Sequence, residues 1–393
     1  MRIGAGGRQS KICLVKGKIK IRKGEVVMKK ICCLLLAALM LLSLAACGSN
    51  AGNPSQDTSG GSEPAPSTGG DQADATVYEF KLGTDCSDPA LSPDYNGYGE
   101  HIRKFCELVE EKTNGQVKIT PYYESVLGAQ PELFMQARDG ELDFFYGRVQ
   151  SAVDPRFAFN SVPFLFKDID QAKRLIANPD GELYKLYAGL CEEYGTHLIG
   201  QGVGTFRGVF SNKHAVPDAV GMSDLTMRIY EDPSVKFFWS PICNASVISF
   251  NEVYTALQTK TCDAMEIAGS VGIYSKFYEV CDYYTDLDWQ IMSQGFIVSN
   301  KCWDSLPDDL RQTVIDCAWE ASDYEFEVQK TNAISALDEL ASLGCEVYNL
   351  TDAERQAWID YARSLDDQYR EYIGAEFYDQ VMAAIDADNA VNG

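Results

Sequence analysis

The stretch VYEFKLGTDCSDPALSPDYNGYGEHIRKFCELVEEKTNGQVKITPYYESVLGAQPELFMQARDGELDFFY, Val77 to Tyr146, decides the fold. Tyr78 to Gly83 reads as a strand. Tyr95 to Lys112 carries apolar residues at helical spacing and stops at Asn114-Gly115. Val117 to Tyr122 is a second strand, Pro131 to Arg138 a second helix, and Leu142 to Tyr146 a third strand. This βαβαβ order predicts a mainly parallel sheet with helices on both faces. A second set follows from Phe206: strands at Gly208 to Ser211 and Thr226 to Tyr230, a helix at Asn251 to Thr259, and a strand at Ala264 to Ile267. Between the two sets lies Gly200-Gln-Gly-Val-Gly204, whose glycines permit backbone angles closed to other residues and so mark a boundary.

Downstream, Leu306-Pro307-Asp308 opens a helix, with proline in the first turn and acids at the positive end of the dipole. Asp309 to Leu343 contains neither glycine nor proline. A helix of that length spans ~50 Å, more than one lobe of this size needs. Thr351-Asp-Ala-Glu354 is a capping box that starts another helix.

Upstream, Met28-Lys-Lys is followed by an apolar run from Ile31 to Leu44, too short to span a bilayer and ordered like an export signal. Leu44-Ala45-Ala46-Cys47 resembles a lipobox, which makes Cys47 the lipidated first residue of the mature chain. Residues 1–27 form a basic segment outside this pattern. Lys23-Gly24-Glu25 can be encoded by a purine-rich ribosome-binding site, so residues 1–27 read as a mis-assigned upstream extension and 28–46 as a lipoprotein signal peptide. Residues 47–76 are rich in Gly, Ser, Pro, Ala, Asn and Asp, hold no large apolar residue, and read as a lipid-anchored flexible linker.

The 393 residues carry 34 Lys plus Arg against 57 Asp plus Glu, a net charge of -23, which argues against a nucleic-acid partner. Loss of residues 1–46 removes ten basic residues and one acid, so the mature chain is more acidic still and its only hold on a membrane is the lipid. Nine cysteines remain beyond Cys47: Cys86, Cys106, Cys191, Cys243, Cys262, Cys281, Cys302, Cys317 and Cys345. None sits in a C-x-x-C pair, and only His101, His197 and His214 could join them, so no metal site is expected. They read as small buried hydrophobes, with folding independent of disulfides.

Gly200-x-Gly-x-Gly204 precedes a strand and not a helix, which removes the phosphate-loop reading. Ala268-Gly-Ser270-Val-Gly272 resembles a nucleophile elbow, but no histidine follows Ser270, so a hydrolase using Ser270 or a carboxylate pair is the remote alternative. No catalytic residue and no cofactor is expected.

Several strings in a fixed order carry a resemblance: Phe250-Asn-Glu-Val-Tyr-Thr-Ala-Leu-Gln258, Cys262-Asp-Ala-Met-Glu266, Ile273-Tyr-Ser-Lys-Phe-Tyr-Glu-Val280, and the weaker Gly140-x-Leu-Asp143, Val162-Pro-Phe-Leu-Phe166 and Asp224-Leu-Thr-Met-Arg228. From Val77 to about Met382 the chain resembles the solute-binding proteins of TRAP transporters, the DctP family. The resemblance implies an α/β, two-lobed, periplasmic-binding-protein-like fold with crossing strands and a long helix bracing both lobes. On it, 77–204 is lobe I, 205–292 lobe II, 293–333 the return to lobe I and long helix, and 334–393 the long-helix end and C-terminal helices.

The resemblance also implies a monomeric extracytoplasmic receptor for a small organic acid, with TRAP permease membrane subunits as partners. A ligand sensor for a signalling protein would share the fold. Arg228 stands where the family pairs a substrate carboxylate, and a guanidinium fork suits that task. Arg207 stands at another anion-contacting position. The chain departs from the family at Ile267, where an amide is common, and at Gly147-Arg148, which adds a cation. Tyr146, Phe206, Tyr230, Trp239, Phe250 and Trp289 are aromatics expected near the cleft. Asp85 and Glu266 are acids that accept from ligand hydroxyls or hold Arg148 and Arg207 in place.

Overall fold

The computed structural model describes residues 76–91 and 96–392. The upstream extension, the signal peptide, Cys47 and the linker to residue 75 lie outside the described residues.

β1 (Tyr78–Gly83) buries Phe80 and Leu82 on alternate positions and pairs in parallel with β2 (Val117–Tyr122) and β3 (Phe144–Gly147). The helix Gly97–Lys112 connects β1 to β2. Its N-cap is Asn96, which accepts the Gly99 N–H at 3.0 Å, and Ile102, Phe105, Leu108 and Val109 form its buried stripe. It ends where Asn114 and Gly115 turn the chain through positive φ of 51° and 75°. Gln130–Arg138 is the helix that leads to β3.

β4 (Thr196–Ser211) is one strand of 16 residues. Thr196 to Phe206 pairs antiparallel with β9 (Ile291–Ser299), and Arg207 to Ser211 pairs antiparallel with β7 (Ala264–Ala268). β7 in turn pairs in parallel with β5 (Thr226–Ile229), and β5 with β6 (Asn244–Val247). Beside the end of β4 runs β8 (Tyr283–Asp286), which carries β10 (Glu346–Asn349). The order β2-β1-β3-β9-β4 thus makes one lobe and β4-β7-β5-β6 the other, with β4 crossing between them.

The expectation of a mainly parallel sheet needs correction. Each lobe is parallel where strands are linked through helices, but β4 and β9 run antiparallel to their neighbours because they pass from one lobe to the other. Gly208 to Ser211 is the end of β4 and no separate strand. Phe250–Glu252 forms a short 3₁₀ turn ahead of the helix Val253–Gln258.

The glycines of β4 also do something other than bend the chain. None of Gly200, Gly202 and Gly204 has positive φ. A Cβ on Gly200 would lie 2.8 Å from Ala318 Cβ, one on Gly202 would run into the Glu325 carboxylate, and one on Gly204 into the Tyr98 hydroxyl. These glycines let two helices lie directly on the crossing strand.

One of those helices is Asp308–Ser342, 35 residues long. It packs against β4 and the helix Gly97–Lys112 in the first lobe, and against Gly269–Tyr274 and β10 in the second. Its buried side begins apolar with Leu310, Val314, Cys317 and Ala318 and turns polar at Ser322, Glu325 and Gln329. The next helix, Asp352–Arg363, has the expected box: Glu354 Oε2 accepts the Thr351 N–H at 2.8 Å and Thr351 Oγ1 accepts the Glu354 N–H at 3.3 Å. It drives Trp358 into a cluster with Phe238, Trp239 and Trp289 in the second lobe. All nine described cysteines are unpaired.

Candidate functional site

A cleft of roughly 720 Å³, open to solvent on one side, lies where the C-terminal ends of the strands of both lobes meet. This is where an open α/β sheet places a ligand, since loops leaving the strand ends converge there. The first lobe contributes Asp85, Cys86 and Tyr98 after β1, Gln130 from the helix before β3, and Arg148 and Gln150 after β3. The crossing strands contribute Arg207 from β4 and Ser293 and Gln294 from β9. The second lobe adds Arg228 and Tyr230 and an apolar side of Phe250, Ile267 and Val271.

Three guanidinium groups converge here in different states. Arg207 is ion-paired through Nε to Glu266 on β7, and its Nη2 donates to the Glu266 carbonyl at 3.0 Å. Both side chains are buried, at 8% and 0% exposure. Arg228 donates from Nε to the Ile248 carbonyl at 2.9 Å, while its Nη1 stays 3.9 Å from Glu266 Oε1. Burial pulls the Arg228 guanidinium down to about 10, with Glu266 opposing and Arg207 adding to the push. It stays charged at neutral pH, but without the close carboxylate that a buried cation needs. Arg148 has no acid at ion-pair distance among the described residues. Its guanidinium carbon lies 4.7 Å from the centre of the Tyr230 ring, and that of Arg207 lies 5.0 Å from the same ring. Tyr230 therefore contacts two cations through its ring, while its hydroxyl donates to Gln290 Oε1 at 3.2 Å.

On the facing wall, Asp85 accepts from Gln130 Nε2 at 2.8 Å. Burial raises its pKa despite help from Gln130 and, more weakly, from Arg228 and Arg148. Gln294 Oε1 accepts from the Cys86 thiol at 3.2 Å.

The structure brings Arg148, Arg207, Arg228, Asp85, Tyr230 and Phe250 to this one cavity. Glu266 stands behind the arginines as their counterion and does not line the cavity. Tyr146, Trp239 and Trp289 do not line it either, because all three are fully buried. The Tyr146 hydroxyl meets His101 Nδ1 at 2.8 Å, and the two tryptophans pack edge to face at 5.3 Å beside Phe238. Ser270, buried, meets the Thr205 hydroxyl at 3.2 Å.

Sequence reasoning missed Tyr98, Gln130, Gln150, Ser293 and Gln294. Gln150 was open to discovery, as a polar residue three positions past the end of β3 and two past Arg148. Tyr98 was hidden by its place in the first turn of an amphipathic helix.

Residues 90–372 match the family described as bacterial extracellular solute-binding protein, family 7, DctP. The 2,3-diketo-L-gulonate-binding periplasmic protein YiaO of Escherichia coli is 27% identical over 267 residues, 66% of this chain and 80% of its own. The C4-dicarboxylate-binding periplasmic protein DctP of Rhodobacter capsulatus is 27% identical over 292 residues, 73% of this chain and 86% of its own. A crystal structure of a TRAP periplasmic solute-binding protein from Ochrobactrum anthropi superposes with a TM-score of 0.71 at 26% identity, covering 81% of this chain and 98% of that one. These relatives are binding proteins and not enzymes.

Proposed function

The chain belongs to family 7 of the bacterial extracellular solute-binding proteins, the DctP family, and from that premise we propose that it captures a small organic anion in the interlobe cleft and hands it to a TRAP-type membrane permease. The observation that carries the reading is Arg228, a buried guanidinium whose nearest carboxylate oxygen is 3.9 Å away. A carboxylate arriving between the lobes would supply the bidentate partner that the fold withholds. Arg148, anchored after β3 in one lobe and resting on Tyr230 of the other, would join it as the lobes close. Closure is a population shift toward the form in which ligand touches both lobes. In this reading the protein is a monomer, held at the cell surface by lipid on Cys47, with residues 47–76 as tether and β4 and β9 as the passage between lobe I and lobe II.

The test is mass spectrometry of small molecules released from the purified protein, followed by thermal unfolding with a panel of organic acids. A carboxylate that binds the native state raises Tm by mass action, by ~2.7 kcal/mol of stabilisation at 100 times Kd. If neither method finds an organic anion, the reading fails.

A further inference from the structure

Beyond its arginines, the cleft holds polar groups with unused hydrogen-bonding capacity, and their chemistry is selective. Gln150 is 7% exposed, and its Oε1 is fully buried with no hydrogen-bond partner among the described residues. The Tyr98 hydroxyl, in a side chain 3% exposed, is in the same condition. Asp85 accepts from Gln130 and has no cation at ion-pair distance among the described residues. The Gln294 amide nitrogen has no hydrogen-bond acceptor among the described residues, while its oxygen is engaged by Cys86. A buried acceptor left without a donor is costly, so groups of this kind are kept where something arrives to satisfy them.

Gln150 Oε1 needs a donor, and Asp85 can accept a second one beside Gln130. A dicarboxylate at neutral pH has none: its oxygens are acceptors and its carbon chain is inert. Its second carboxylate would also be placed opposite Asp85. An ammonium group could donate, but it would add a positive charge beside Arg148 and Arg228. A hydroxyl group donates and accepts without charge, and so satisfies Gln150 and Asp85 on one side and Gln294 on the other. Phe250, Ile267 and Val271 meanwhile offer the carbon skeleton a dry face.

Resting on the proposed organic-anion receptor, we infer that the ligand is a polyhydroxylated monocarboxylate, an acid of the aldonate or uronate kind, with its carboxylate on Arg228 and its hydroxyls on Gln150, Tyr98 and Asp85. Gln150 and Tyr98 then determine specificity where Arg228 determines affinity for the acid group.

Calorimetry on the full chain tests this with probes matched in carbon number: D-gluconate, D-galactonate and D-glucuronate against adipate and hexanoate. A site built to hydrogen-bond a hydroxyl rejects analogues that lack it, so at least one hydroxy acid should bind more than ~100-fold more tightly than adipate or hexanoate. Adipate binding as tightly as the best hydroxy acid overturns the inference and leaves the receptor reading standing. No binding by any of the five overturns this inference, while the receptor reading is decided separately by the released-ligand and organic-acid panel experiments.

Gln150→Leu, which keeps the size and removes the acceptor, should lower hydroxy-acid affinity by about 10- to 100-fold. The weak adipate affinity should change by less than about 3-fold. Equal losses for both probe classes overturn the assignment. If that variant does not fold, Tyr98→Phe, which removes one oxygen, is read in the same way.

Discussion

Two clusters of buried polar residues lie close together in this molecule, one opening into the cleft and one sealed beneath the crossing strands. In the sealed cluster His101 Nδ1 stands 2.7 Å from Glu325 Oε2 and 2.8 Å from the Tyr146 hydroxyl, and His101 Nε2 stands 3.2 Å from Ser322 Oγ. All four residues have zero exposure. Serine, histidine and acid in that order are the parts of a hydrolase, yet Ser322 Oγ donates to the Ala318 carbonyl at 2.9 Å and no substrate can reach it. These residues join the helix Gly97–Lys112, β3 and the long helix over Gly202 of β4, so their product is rigidity at the crossing.

The cleft cluster has the same ingredients in a different balance. Arg228, Gln150 and Tyr98 keep unused capacity facing a cavity, whereas the sealed cluster spends nearly all of its capacity internally. What separates a site from a scaffold here is spare hydrogen-bonding capacity with access, and not residue type.

The largest expected effect strikes where the two roles meet. Glu266 is the scaffold of the cleft, neutralising Arg207 and standing behind Arg228. Glu266→Ala leaves two buried guanidinium groups without an acid, and breaking a buried pair in this way costs ~3–5 kcal/mol of stability. Denaturant unfolding measures it. A loss below about 1 kcal/mol would mean that solvent in the cleft already screens these charges, and the distinction between site and scaffold would blur.

Arg228→Ala should do the reverse, sparing the fold and removing function. Truncating one partner of a buried charged pair costs ~2–5 kcal/mol, or roughly 30- to 5,000-fold in affinity at ~1.4 kcal/mol per decade. Arg228→Lys should recover part of this, since an ammonium keeps the charge but loses the fork. Calorimetry with the hydroxy acid that binds best decides it, and undiminished affinity in the alanine variant would remove the clamp.

Ser322→Ala sharpens the contrast from the sealed side. It deletes a donor to the Ala318 carbonyl and a partner of His101, worth ~1 kcal/mol of stability. Affinity should stay within about 2-fold of the parent. A larger change in affinity would show that the sealed cluster governs the cleft through the crossing strands.

The same contrast explains what could be read from the sequence. The βαβαβ order, the capping box at Thr351 and the long helix were legible because each rests on spacing within a few turns of chain. Asp85 and Arg148 were reachable as charged residues just past strand ends, whereas Arg228 and Arg207 were reached through the family resemblance, Arg207 lying inside β4. Gly200, Gly202 and Gly204 were misread because their purpose is set by Ala318, Glu325 and Tyr98, residues that lie about 100 positions away in either direction. Tyr146, Trp239 and Trp289 were assigned to the cleft because an aromatic residue gives no local sign of whether it faces a ligand or a core. Spare capacity, as at Gln150, is a property of the folded surroundings and cannot be seen in a string of residues.

The smallest effect concerns Asp85, the one acid lining the cleft among the described residues. Burial raises its pKa in the folded protein above the ordinary carboxylate value, against the opposing pull of Gln130, Arg228 and Arg148. With the folded value above the unfolded one, the native state holds the proton more firmly, so this group's contribution is most favourable below the unfolded pKa. It is lost as pH rises through the folded pKa. Above the unfolded pKa, burying Asp85 is therefore a net cost to the fold. Asp85→Asn should remove that cost, giving a slightly higher Tm than the parent at pH 7 and a difference that shrinks toward zero as the pH is lowered toward 4. The same variant should bind the hydroxy acid more weakly, since an amide is a poorer acceptor than a carboxylate. Thermal melts of both proteins from pH 4 to 8 give the first readout and calorimetry at pH 7 the second. A variant that is less stable than the parent at pH 7 would place Asp85 with the scaffold and move the boundary between the two clusters to the far side of β1.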